Sequence, residues 1–326
     1  MLKSRFLLWG QTLIERGAWY LAPISWIWGF VAFCKNALYD RKLLPIHRVP
    51  RPIVSIGNLV AGGTGKTPLV LLLASQFPHR KIAILSRGYG EYPDEAELLE
   101  RRLKTVSVYF GKNRVRLAKQ AMRAGAQLII LDDGFQHRKL HRDFDLLLLS
   151  ASDPFGKGHY LPRGFLRDSP KRMRQADAVF LSGKGDVSFP HIGLEVVPER
   201  MLDFMGKPVK VPPGTPIGIF CGIGKPASFK KTMVSLGLKI VSEWILADHQ
   251  RAPEKLIRSF ADKSKSLGAK VLICTEKDYV KLDEEMRCSL PLYFLEISLR
   301  VSSGQKEWEN LIAKIDQKID NITAYE

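Results

Sequence analysis

The alternation of apolar and charged positions divides the chain into three stretches. Between Arg16 and Lys35 lie 18 uncharged residues, GAWYLAPISWIWGFVAFC. Beyond them, short β-rich apolar runs at 53–56, 82–85, 106–110, 128–131, 144–149 and 178–181 alternate with helical patterns. That alternation predicts a parallel sheet with crossover helices. A passage dense in Gly and Pro over 182–216 precedes a second series of runs at 217–221, 239–241, 271–274 and 292–297, and a last amphipathic helix is predicted over 305–319. The expected organisation is an apolar helical segment at 1–40, a parallel-sheet domain at 41–190, a linker at 191–215 and a smaller α/β domain at 216–326. A chain of 326 residues is long enough for two separate cores, and it carries no internal repeat.

Charge narrows what such a chain meets. Fifty Lys and Arg against 33 Asp and Glu leave a formal charge of +17, so the partner or surface is expected to be anionic: nucleic acid, phospholipid or a phosphorylated substrate. Nucleic acid is not expected, because no aromatic-basic recognition motif accompanies the charge. The amino terminus favours phospholipid. Trp9, Trp19, Trp26 and Trp28, four of six tryptophans, fall in the first 28 positions, and residues 1–51 hold eight Lys or Arg against two Asp or Glu. Tryptophan favours the membrane interface and basic residues favour anionic headgroups, so the segment reads as a membrane anchor. Its length is the short end for spanning, which leaves open whether it spans or lies in the interface. A buried core helix containing Pro23 is the rival reading. A secretion signal fits poorly, since Val31-Ala-Phe-Cys34 lacks the small residue expected before a cleavage site. The four cysteines are far apart, with no metal-ligand spacing, as suits a reducing compartment.

The chemistry starts at Ile56-Gly-Asn-Leu-Val-Ala-Gly-Gly-Thr-Gly-Lys-Thr-Pro68. An apolar strand runs into it and an apolar helix with proline in its first turn runs out, the context a phosphate-binding loop requires. Gly62, Gly63, Thr64 and Gly65 turn backbone amides toward one anion, Lys66 reaches the β- and γ-phosphates, and Thr67 offers its hydroxyl to Mg²⁺. Val60 stands where such loops begin with glycine. A metal-side carboxylate should end a neighbouring strand, and Gln127-Leu-Ile-Ile-Leu-Asp-Asp133 supplies two: one of Asp132 and Asp133 is expected at Mg²⁺, the other orienting water or substrate.

Two P-loop classes are disfavoured by single residues. Membrane-partitioning ATPases carry a lysine where this chain has Ala61. The guanine-reading motif Asn-Lys-x-Asp has as its nearest counterpart Thr275-Glu-Lys-Asp278, whose Lys and Asp are adjacent.

The whole pattern resembles the lipid A 4′-kinases (tetraacyldisaccharide 4′-kinases), which phosphorylate the lipid A precursor in Gram-negative bacteria. The resemblance rests on residues 57–68, Leu85-Ser-Arg-Gly-Tyr-Gly90, Asp94-Glu95, Asp132-Asp-Gly-Phe-Gln-His137, Leu161-Pro-Arg-Gly-Phe-Leu-Arg-Asp168, Gly222-Ile-Gly-Lys-Pro226, Asp248-His249 and Thr275-Glu-Lys-Asp278, in the family's order. It implies a P-loop kinase domain with an N-terminal membrane helix, hinged to a smaller α/β domain, with the active site in the cleft between them. It also implies ATP and Mg²⁺ as cofactors and an anionic glycolipid, a disaccharide 1-phosphate, as acceptor at the cytoplasmic face of the inner membrane. No obligate protein partner is implied.

Residue roles follow from the resemblance alone. Asp94 is implied as the base on the acceptor hydroxyl and His249 as its partner. Asp168 is implied at the metal, Gln136 and Arg167 at nucleotide or substrate phosphate, and Arg87 and Tyr89 at the lipid headgroup. Gly222 and Gly224 would let backbone approach the cleft, and 275–278 would stabilise the second domain or reach adenine. Pro93 stands where the family has glycine, and Asp168 where it usually has glutamate. Read without the resemblance, Asp94 could simply start a helix and His249 could cap or pack. Two other functions remain: a membrane-bound P-loop kinase for another sugar or lipid alcohol, and a membrane-surface ATPase switch.

Overall fold

The computed structural model describes residues 19–62, 65–87, 94–103, 106–248, 250–283 and 286–323, with backbone alone for 94–96 and 323. Two compact units emerge: Met1–Glu91, Leu99–Val196 and Leu299–Glu326 form the first, and Tyr92–Leu98 with Val197–Ser298 the second. The chain passes from one to the other within β7 (Ile192–Asp203) and returns within β11 (Leu292–Ser303).

In the first unit β1 (Ile53–Gly57), β2 (Ile82–Ser86), β3 (Val106–Phe110), β4 (Leu128–Asp132), β5 (Phe144–Ser150) and β6 (Ala178–Ser182) are parallel, in the order β3-β2-β4-β1-β5-β6, with β7 paired to β6. Because β1 lies between β4 and β5, the chain steps across it after β4. In parallel α/β sheets such a switch point opens a crevice at the carboxyl ends of the strands. Strand alternation sends Val54, Ile56, Ile84, Ile130 and Leu148 to one face, where they pack with Leu69, Val70 and Leu73 of α2 (Lys66–Ser75). Ile53, Leu85, Ile129 and Leu131 face the other way, onto Val115, Ala118 and Ala121 of α4 (Arg114–Arg123). Helix α3 (Asp94–Arg102) lies between β2 and β3 in sequence.

The second unit has parallel strands in the order β11-β10-β8-β9, from β8 (Pro216–Cys221), β9 (Lys239–Ile245), β10 (Val271–Thr275) and β11. Helix α5 (Pro226–Ser235) covers one face through Phe229 and Met233, and α6 (Glu254–Ser266) the other through Ile257 and Ala261. A short helix α7 (Glu276–Tyr279) follows β10.

Two sequence expectations differ from this arrangement. The 191–215 stretch read as a linker holds β7, whose Pro198, Glu199 and Arg200 break an apolar strand pattern. The last helix, α8 (Gln305–Thr323), packs in the first unit: Trp308, Leu311, Ile315 and Ile319 join the core that holds Phe180, Ile192 and Leu194. Its apolar stripe predicts a helix but not which sheet it covers.

Helix α1 (Ala22–Asp40) takes Pro23 in its first turn, where a missing amide donor costs nothing. Its inward face is small and polar. Ser25 Oγ donates to Tyr160 O at 2.6 Å, Gly29 sits so close to the Tyr160 ring that a Cβ would lie 2.8 Å from it, and Asp40 pairs with Arg138 at 2.7 Å. The large side chains point outward, with Trp26 71%, Phe30 66% and Phe33 68% exposed. The rival reading as a buried core helix therefore fails: only 11% of the apolar window in Trp19–Asp40 is buried. Among the described residues this is the one helix long and apolar enough to cross a membrane.

Trp308 is buried and meets Phe180 edge-on at 5.8 Å. Trp308→Ala is expected to destabilise the first unit by about 3–5 kcal/mol, read as a lower urea midpoint, whereas Lys306→Ala at an exposed position of α8 should move it little.

Candidate active site

The carboxyl ends of β1, β4 and β2 bring the sequence motifs together. In the parallel register Ile56 stands beside Asp132, so the loop leaving β1 and the aspartates leaving β4 emerge at one edge. The approach is close: a Cβ on Gly57 would lie 2.5 Å from Phe135 Cβ, so only glycine fits where the two segments cross. Gly65 has φ +83°, a left-handed conformation that glycine adopts without strain, and immediately precedes Lys66 at the start of α2. Gly62 also has a positive φ, +108°. Thr67 is half-buried in the first turn of α2. Gly63 and Thr64 lie outside the described residues.

The loop's entrance explains Val60. It is buried, forms an antiparallel bridge with Leu166, and packs with Leu59, Phe135, Leu147 and Leu149. Ala61 N donates to Phe165 O at 2.7 Å and Arg167 N to Leu59 O at 2.8 Å. The entrance is thus an extended segment clamped to the 161–168 loop, a place for a β-branched residue and not for a tight glycine turn.

Asp132 and Asp133 separate in role. Asp132 ends β4 and is buried, with Oδ2 accepting from Ser86 Oγ at 3.4 Å and its backbone oxygen accepting from Arg114 Nη2 at 3.0 Å. Asp133 has φ +53°, which turns its side chain out of the strand direction. Its oxygens accept two bonds from Arg167, at 2.9 and 2.7 Å, and one lies 3.5 Å from Lys66 Nζ. Burial pushes the Asp133 carboxyl up, but the Arg167 bonds and the Lys66 charge outweigh it and hold the group well below the usual carboxylate range. A depressed carboxyl contributes stability that is present above its unfolded pKa and is lost as pH falls through the folded value.

Arg167 also donates to Asn58 Oδ1, and Gln136 Nε2 donates to the Asn58 carbonyl at 2.8 Å. Asn58, fully buried, therefore joins both residues to the loop's approach. Sequence reading gave it no role, although it sits in the quoted loop. Arg114 was also missed. Its signal was a charged residue on the inner face of an amphipathic helix, in line with Ala118 and Ala121.

Asp168, expected at the metal, is placed otherwise. Its Oδ1 accepts from Asn36 of α1 at 2.8 Å and from Ser169 N at 2.8 Å, and Oδ2 accepts from Arg172 at 2.5 Å. With both oxygens engaged and the carboxylate buried, Asp168 anchors α1 to the loop that carries Arg167. Lys35 strengthens that link by donating to Gln136 O at 2.9 Å. Arg87 follows β2 at the same edge of the sheet and is exposed. His137 is pushed down to about 4 by burial and by Arg114 and Arg142, so its ring is neutral at pH 7.

The side chains implied as base and partner lie outside the described residues. Asp94 opens α3, with its side chain outside the described residues, and His249 and Tyr89 lie outside them altogether. In the second unit, Asp278 accepts from Gly222 N at 3.0 Å and from Thr275 Oγ1 at 2.6 Å, with Lys281 at 3.4 Å. The Thr275-Glu-Lys-Asp278 motif thus ties the turn after β8 to the end of β10.

A family model described as tetraacyldisaccharide-1-P 4′-kinase matches residues 17–317. Curated proteins similar to this chain include several tetraacyldisaccharide 4′-kinases. The one from Anaeromyxobacter dehalogenans is 36% identical over 77% of this chain and 78% of its own length. That from Syntrophus aciditrophicus is 34% identical over 86% and 88%, and that from Chlamydia muridarum 34% over 90% and 89%. A crystal structure described as the "apo" form of LpxK from Aquifex aeolicus in complex with ATP superposes with a TM-score of 0.72 at 28% identity, covering 91% of this chain and 98% of that one. Since the match runs through both compact units and not the nucleotide loop alone, the chain belongs to the tetraacyldisaccharide-1-P 4′-kinase family.

Proposed function

We propose that this chain transfers the γ-phosphate of ATP to the 4′-hydroxyl of a tetraacyldisaccharide 1-phosphate, an anionic glycolipid, at the cytoplasmic face of a bacterial inner membrane. The observation that carries the reading is the Lys66–Asp133–Arg167 network, which fixes two cations beside a glycine loop in a chain of this family. Phosphoryl transfer asks the protein mainly to position reactants and neutralise charge, and those two groups do both.

The loop residues Gly62, Gly63, Thr64 and Gly65 cradle the phosphates with their amides, Lys66 neutralises the β- and γ-phosphates, and Arg167 and Gln136 complete the nucleotide side. Mg²⁺ suits the hard oxygen donors at this edge, the Thr67 hydroxyl and the Asp132 carboxylate. Among the described residues no three His, Cys, Asp or Glu side chains cluster into a protein cage, and Mg²⁺ at phosphate sites characteristically uses one or two carboxylates and the phosphates themselves. Bound there, the ion adds charge neutralisation. Asp132 is assigned to the metal, and Asp133, held by Arg167 and Lys66, to positioning those two cations. Asp94 accepts the proton of the 4′-hydroxyl as the oxygen attacks the γ-phosphorus in line and ADP leaves, with His249 supporting it. Arg87 and Tyr89 meet the headgroup.

The membrane placement rests on α1. Ser25 and Asp40 both bond the first unit, 15 residues and so about 22 Å apart along the helix. A helix fastened at both ends lies along the protein with its outward tryptophans and phenylalanines in the lipid, and does not span.

Labelled γ-phosphate should pass from Mg·ATP to tetraacyldisaccharide 1-phosphate in detergent micelles, and Lys66→Ala should abolish the transfer. ATP hydrolysis by the wild-type chain with the lipid left unlabelled would reject this acceptor. Asp94→Ala should lose ~10²- to 10⁴-fold in turnover while ATP binding, measured by calorimetry, persists. Arg167→Lys exchanges a bidentate fork for a point charge, and kcat/KM for ATP should fall roughly tenfold or more in steady-state assays.

A further inference from the structure

A cavity of 580 Å³ on the first unit, with no residue of the phosphate loop in its wall, is lined by His47, Asn113, Arg116, Lys119, Arg123 and Lys139 among others, and by no carboxylate. Three of its cations lie on the outer face of α4, while Val115, Ala118 and Ala121 face the sheet. Helix α4 reads RVRLAKQAMR and contains no acidic residue. Like charges three and four positions apart destabilise a helix, and surface helices ordinarily relieve this with interleaved Glu or Asp. Among the described residues none of Arg116, Lys119, Arg123 and Lys139 pairs with a carboxylate. Such concentrated, uncompensated charge in a concave surface is the footprint of an anion.

The cavity's position says which anion. Lys139 follows Arg138, which holds the end of α1 through Asp40 and Asn36 O, and His47 N donates to Lys139 O at 2.9 Å. The wall of the cavity is thus joined to the end of the helix whose outer face is apolar and rich in tryptophan, and the exposed Arg41 and Lys42 lie on the connecting segment. Apolar and aromatic groups beside a basic hollow match the two layers of a membrane surface, acyl chains and phosphate headgroups. We propose that this cavity is a second anion site, separate from the phosphate loop, which takes the phosphate of an anionic membrane phospholipid and sets how the protein sits on the bilayer.

The test uses the full chain without nucleotide, so its outcome is independent of the kinase reading. Binding to phosphatidylglycerol-containing vesicles and to pure phosphatidylcholine vesicles is compared for the wild type, for Arg116→Gln/Lys119→Gln/Arg123→Gln, and for Lys255→Gln/Lys263→Gln/Lys265→Gln, which removes the same charge from exposed positions of α6. At roughly fivefold per basic residue near an anionic surface, the first triple variant should lose on the order of 100-fold on anionic vesicles. It should keep its phosphatidylcholine binding and its unfolding midpoint, and the α6 variant should stay near wild type. Equal loss in the α6 variant would reduce the effect to net charge and overturn the site. Unchanged vesicle binding in the α4 variant would overturn the lipid assignment. Calorimetry with inorganic phosphate then separates a site for soluble phosphate compounds, titrating the wild type and not the variant, from no anion site at all.

Discussion

The Asp133 carboxylate, partly buried between Arg167 and Lys66, is the constraint on which the site depends. It joins three segments that are far apart in sequence: the start of α2, the turn after β4 and the 161–168 loop. A carboxylate in that position would be costly alone, and removing either cation from a buried pair leaves an uncompensated charge. The left-handed backbone at Asp133 is sustained by those partners, and it lets adjacent aspartates do different work. One closes onto protein cations while the other remains at the end of β4. On the proposed reading, Lys66 and Arg167 are thereby positioned before any phosphate arrives, which limits reorganisation during the reaction.

The same loop connects the site to α1. Arg167 and Asp168 are neighbours, and Asp168 reaches back to Asn36 while Lys35 holds Gln136 O. A helix that turns its tryptophans away from the protein is thus fastened by its polar face to the segments that hold Asn58 and Asp133. For an enzyme whose proposed acceptor is confined to a lipid surface, this coupling makes physical sense: the helix proposed to meet lipid and the loop proposed to meet phosphate are hydrogen-bonded to each other's supports. Helix α1 inverts the usual amphipathic rule, with small polar residues inward and large apolar ones outward.

The second unit shows a parallel economy of charge. Asp278, Lys281, Thr275 and the Gly222 amide form a largely buried polar cluster, so the turn after β8 is tied to the end of β10. Buried polar groups are tolerated when they satisfy one another, and this cluster does so at the carboxyl edge of the smaller sheet.

Local pattern alone determined a good deal. The strand runs, the glycine loop between strand and helix, the apolar amino-terminal segment and the two-domain α/β class all follow from period and punctuation, which are properties of neighbouring residues. Tertiary structure decided what depends on distant ones. Val60 proved to be a bridge partner of Leu166, Asp168 an anchor for Asn36, and Asn58 and Arg114 buried organisers, because each role is set by a contact more than a hundred residues away or by a neighbouring strand. The assignment of α8 to the first sheet was likewise invisible, since an apolar stripe of Trp308, Leu311, Ile315 and Ile319 fits any complementary surface, and only packing against Phe180 selects one.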